Sequence, residues 1–113
     1  MTAERVILEG LKQALNVPVS MEHLPDEPKE YVLLERVGGS QEIGLERASF
    51  AVQSHSDSMY GACELNQKVR KAMLDLIEDP HISRVTLDSD YNYTDTTTKK
   101  YRYQGIYDLV FFL

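Results

Sequence analysis

The sequence predicts an α+β domain in which two helices pack on one face of a mainly antiparallel four-stranded sheet, in the order αββαββ, as one unit over residues 1–113. Three observations predict it. Between Ser58 and Asp79 the apolar residues Ala62, Leu65, Val69, Ala72 and Leu76 recur in steps of three and four, which keeps them on one side of a helix. Two pairs of stretches rich in β-formers flank that helix, Tyr31–Val37 with Leu45–Ser54 before it and Ile82–Tyr93 with Tyr101–Leu113 after it. A glycine-bearing segment joins the first pair and a polar one joins the second, as hairpin connections do.

In chain order, Thr2 is placed to cap a first helix over about Ala3 to Leu15, whose apolar positions are Val6, Ile7, Leu11, Ala14 and Leu15. Asn16 and Pro18 stop it. Val17 to His23 is then an extended connection or an edge strand, because Pro18 cannot donate to an interior ladder. Leu24 to Glu30, with Pro25 and Pro28, is a loop. The first strand, Tyr31–Val37, begins with an unbroken apolar run and so predicts cover on both faces for part of its length. Gly38 to Gly44 is expected to turn the chain into Leu45–Ser54, where Ala48, Phe50 and Val52 alternate with Arg47, Ser49, Ala51 and Gln53.

The segment His55-Ser56-Asp57-Ser58 offers caps for the central helix, and Pro80 closes it at Asp79. In the last strand Tyr103, Tyr107, Leu109 and Phe111 share one face while Ile106, Val110 and Phe112 share the other, so its second half is expected inside the core. Thr94 to Lys100 is polar and β-prone, which predicts a long hairpin projecting as an arm that leans on a partner.

Composition narrows the function classes. Eighteen acidic against twelve basic residues give a net charge of −6, which opposes the counterion-release attraction that draws proteins to nucleic acid. A single cysteine, Cys63, offers no disulfide framework and no thiolate cluster. The chain has no apolar run of membrane-spanning length and no basic-then-apolar leader, so it is expected to be cytosolic and soluble.

No constellation predicts catalysis, a metal or a cofactor. His23, His55 and His81 sit in three separate connections without ligand spacing. His55 to Ser58 contains the residue types of a nucleophilic triad, but adjacent side chains cannot form the required relay. Asp88, Asp90, Asp95 and Asp108 are expected on a solvated acidic surface. Tyr91, Tyr93, Tyr101 and Tyr103, with Lys99, Lys100 and Arg102, suit cross-strand pairing or a protein interface better than a base-stacking platform.

The run Tyr31-Val32-Leu33-Leu34-Glu35-Arg36-Val37-Gly38-Gly39, then Phe50-Ala51-Val52-Gln53-Ser54, the alanine-bearing helix Ala62 to Leu76 and the closing Tyr101-Arg102-Tyr103 complete the pattern. Together they resemble phage tail-terminator and tail-to-head joining proteins of long, non-contractile-tailed phages, over nearly the whole chain. The resemblance implies a non-enzymatic virion protein found in the tail, and in the host cytoplasm during assembly. It further implies a ring, hexameric in that family, which ends tube growth and offers a docking surface to the head. Its implied partners are copies of itself, the tail tube protein and head-completion or connector proteins, with DNA passing through the hole. Asp95, Lys99, Lys100, Arg102, Tyr91 and Tyr93 are the interface residues expected on the arm. Two other readings fit the same elements: a head-side connector adaptor, and a ferredoxin-like domain that binds a small molecule.

Overall fold

A computed structural model of the chain describes residues 2–112, so Leu113, the expected end of the last strand, lies outside the described residues. Helix α1 spans Ala3–Ala14, followed by strands β1 (Val19–Ser20), β2 (Tyr31–Glu42) and β3 (Leu45–Ser56). Helix α2 spans Met59–Asp75 and tightens into a 3₁₀ turn, Leu76–Glu78, before β4 (Ile82–Asn92) and β5 (Tyr101–Phe112). The sheet order is β1-β2-β3-β5-β4.

The α+β class and the two helices stand as expected; the sheet does not. It has five strands and is mixed, because β1 pairs in parallel with β2 through Val19↔Val32 and Ser20↔Leu33. Its start is fixed by Val32 N donating to the carbonyl of Pro18 at 2.9 Å, so the proline that cannot donate to the ladder serves as an acceptor. The other pairings, β2 with β3, β3 with β5 and β4 with β5, are antiparallel.

The first hairpin also differs. Gly38 and Gly39 do not turn the chain but lie within β2, just past a bulge between Arg36 and Gly38, and the turn is the two-residue Ile43-Gly44. Gly44 holds φ 77°, which its missing Cβ permits. Gly39 has a different reason to be small: a Cβ there would come within 2.7 Å of the Arg47 carbonyl oxygen.

Local signals explain the helices. Thr2 Oγ1 accepts from Arg5 N at 3.1 Å, and Ser58 Oγ accepts from Gly61 N at 3.0 Å, each satisfying a donor of the first turn. Of the three candidate caps before α2, Ser58 does the capping, while Ser56, with His55 before it, belongs to β3. The stripe Ala62, Leu65, Val69, Ala72 and Met73 is buried against Phe50, Val52, Tyr107 and Leu109, and α1 adds Val6, Ile7 and Leu11 beside Val32 and Leu34. Each large side chain so buried contributes about 1.5–3 kcal/mol.

Both helices lie on one side of the sheet, and α2 sits over β3 and β5 rather than over the outermost strand, β4. Tyr31, Val32, Leu33 and Leu34 are all buried, as their unbroken run requires. On the second face the proline-containing loop of residues 21–30 brings the His23 ring within 6.3 Å of His55 and Glu27 beside Tyr31. In β5 only Tyr107, Leu109 and Phe111 enter the core. Phe112 is exposed and Ile106 and Val110 are half-buried, so the last strand is not dry on both sides.

Candidate interaction site

Register builds the helix-free face of the sheet row by row. Opposite residues of antiparallel strands point to the same side, so Tyr31, His55 and Arg102 share one row, and Gln53, Gln104 and Tyr91 the next. Tyr31 stacks on the His55 ring, with centroids 4.4 Å apart and planes 10° apart. Arg102 lies over the Tyr93 ring at 4.7 Å and its Nε donates to the Tyr93 carbonyl at 2.7 Å. Tyr93 in turn meets Tyr91 edge to face at 5.9 Å.

A directional hydrogen-bond chain crosses three strands along these rows. Gln53 Nε2 donates to Gln104 Oε1 at 2.8 Å, and Gln104 Nε2 donates to the Tyr91 hydroxyl. Gln53 Oε1 is then left to accept, so His55 Nε2, at 3.0 Å, must be the donor. The chain therefore fixes the protonated nitrogen of the neutral imidazole.

Charge around His55 opposes a second proton. Burial comes first, followed by Arg102 and His23, and together they push its pKa down to about 4 against the opposing pull of Glu27. Burial and the neighbouring Glu27 carboxylate push Tyr31 up to about 12. Glu27 is the acidic hub of the covering loop, 3.3 Å from His23 and 3.9 Å from Lys100.

The expected projecting arm is instead a compact turn. Asp95 and Lys100 exchange backbone hydrogen bonds of 3.2 Å, while Asp95 Oδ1 accepts from Thr97 N at 3.0 Å and Thr98 N at 3.3 Å. Hydrogen bonds from Thr98, and then the Thr97 amide, hold the Asp95 carboxyl below the usual range. Lys99 takes φ 55° to close the turn. Such local bonds explain why the polar run folds back: threonine and aspartate side chains satisfy the backbone without a partner.

The six residues expected at an interface are thus gathered at one end of the sheet, with Tyr91, Tyr93 and Arg102 on its open face and Asp95, Lys99 and Lys100 in the turn beside it. The acidic quartet does not converge. Asp90 points under α2, where Asn66 Nδ2 donates to it at 2.7 Å and Arg70 pairs with it, whereas Asp108 accepts from Ser49 on the opposite face. Asp95 is in the turn, and β4 bulges between Leu87 and Ser89, at Asp88.

Beneath α2 the fully buried Tyr107 hydroxyl has no hydrogen-bond partner among the described residues, and burial pushes its pKa up to about 12. Two open grooves lie on the surface. One of about 580 Å³ runs between the end of α1 and α2, past Glu64, Lys68 and Lys71; the other, about 460 Å³, crosses the helix-free face past Arg47, Arg84 and Asp108. Among the described residues no helix is long and apolar enough to cross a membrane.

Sequence reasoning missed the Gln53–Gln104 pair and the stacked Tyr31 and His55, because they are 51 and 24 residues apart and meet only through register. Comparison with protein-family models gave no match for this chain, and comparison with curated proteins gave none either.

Proposed function

We propose that this chain is a structural assembly protein of a phage or prophage virion, forming a ring at the head-proximal end of the tail that stops tube growth and receives the head. The observation that carries this reading is the one-sided architecture. Helices roof one face of a sheet whose strands run up to 12 residues, and outside the loop of residues 21–30 the other face presents Arg47, Arg84, Thr86, Tyr91 and Tyr93. Tyrosine and arginine on a flat polar surface are the residue types that protein interfaces favour. The molecule is also long for its size, 45 × 24 × 23 Å, as suits a wedge packed side by side with its copies.

The acidic total of −6 fits a ring through which DNA slides without adhering. Chemistry enters only as surface complementarity: Lys99, Lys100 and Arg102 with Asp95 present a mixed-charge end to the tube or to the next subunit. Pull-down of the tagged chain against tail tube protein and, separately, against connector proteins tests the reading. Retention of the tube protein is expected. Retention of connector proteins alone would assign the chain to the head side of the junction instead.

A further inference from the structure

The two margins of the sheet are unlike each other, and both are open. On one side β4 is the terminal strand, with no neighbour along its outer edge among the described residues. On the other, β1 covers only Val32 and Leu33 of β2, which leaves Glu35 to Glu42 of that strand unpaired on its outer side. Unpaired strand edges are templates for pairing with another chain.

Each margin carries exposed large apolar side chains, Leu74 and Ile77 at one and Val37 and Ile43 at the other. Beside β4 the exposed Leu74 and Ile77 lie on the flank of α2 and its 3₁₀ extension that carries Arg70, the partner of Asp90 on β4. Val85 and Leu87 on the helix side of β4 are only half-covered, since α2 sits over the neighbouring strands. On the opposite margin Val37 is exposed at the bulge of β2, and Ile43, at the tip of the hairpin, is wholly exposed. A β-branched apolar residue at a turn tip gains nothing from the fold of its own chain.

We infer that the β4 margin of one copy takes the β2 margin of a second copy, with Val37 and Ile43 packing against Leu74, Ile77 and the half-covered β4. The inference rests on the ring reading and deepens it by naming the joining surfaces. Size supports a second copy as the occupant. The shorter margin, the eight residues Glu35 to Glu42, is about 26 Å long, and across a molecule 23 Å thick it offers roughly 600 Å² per partner, at the lower end of the range for specific interfaces. Because the two margins differ, the contact is head to tail, and successive contacts close into a ring when their rotation permits. The bulges in β4 after Ile82 and Leu87 break its edge into two short regular stretches, Arg84–Leu87 and Ser89–Asn92, and leave side-chain packing to carry the rest.

The test mixes two blocked variants. Leu74→Glu with Ile77→Glu closes the β4 margin, and Val37→Glu with Ile43→Glu closes the β2 margin; each is first checked for a native-like thermal melt. Ile43→Glu alone serves as a second β2-margin variant, since its side chain touches nothing that could unfold. By light scattering, wild type is expected to form a closed oligomer, each variant to stay monomeric, and the mixture to stop at a 1:1 dimer. Variants that assemble as wild type does would overturn these surfaces while leaving the ring standing on others. Self-dimers of a single variant, or a mixture that stays monomeric, would overturn the head-to-tail contact. So would a wild type that stays monomeric at all concentrations; the tail-end reading would then stand or fall on whether the chain caps tubes.

Discussion

His55 shows how one buried side chain couples the covering loop to the sheet. Its folded pKa of about 4 lies below the ordinary 6.5, so between those values the unfolded chain binds a proton that the folded chain refuses. Stability contributed by the neutral ring is therefore complete above about pH 6.5 and is lost as pH falls toward 4, by about 3 kcal/mol at most. Arg102, Lys100 and His23 oppose the added charge and Glu27 alone favours it. Urea unfolding across this pH range should show the slope, and His55→Gln, which keeps a donor toward Gln53, should remove most of it. Gly105 makes a steric prediction. A Cβ there would lie 2.7 Å from the ring of Tyr107, which is fully buried, so Gly105→Ala should cost about 1–3 kcal/mol in the urea midpoint.

At the scale of elements, α2 is held at its start by a cap and along its flank by a clasp. Ser58→Ala removes the acceptor for Gly61 N and should cost about 1 kcal/mol, read by thermal unfolding. Asp90→Ala leaves buried Asn66 and the partly exposed Arg70 without their shared acceptor, and should cost about 1–3 kcal/mol and speed amide exchange in β4. The helices were legible in the sequence because their apolar steps and caps are local. So were the core faces of the long strands, where Ala48, Phe50 and Val52 alternate. Two elements were not. Strand β1 has two residues and no pattern of its own, and its pairing depends on the Pro18 carbonyl meeting Val32. Gly38-Gly39 has the composition of a turn, yet Gly39 is small so that β2 can pass close to the Arg47 carbonyl, and the turn fell to Ile43-Gly44. The polar run after β4 suggested an arm because its composition is β-prone, but Asp95 turned it back by accepting the Thr97 and Thr98 amides.

For the whole molecule, the fold and the proposed assembly meet in the sheet. Helices on one face give the chain a core, and the part of the helix-free face outside the covering loop, with the two unlike margins, gives it surfaces open to a partner. The candidate residues Tyr91, Tyr93 and Arg102 proved to be engaged with one another and with Gln104, so their expected partner-facing role now includes holding the end of the sheet in shape. The measurement that bears most directly on the proposed ring is the length distribution of tail tubes polymerised with increasing amounts of this chain, imaged by negative stain. Tubes that shorten as the chain is added, each with a ring of density at one end, are the predicted result. Tubes of unchanged length with both ends bare would contradict it.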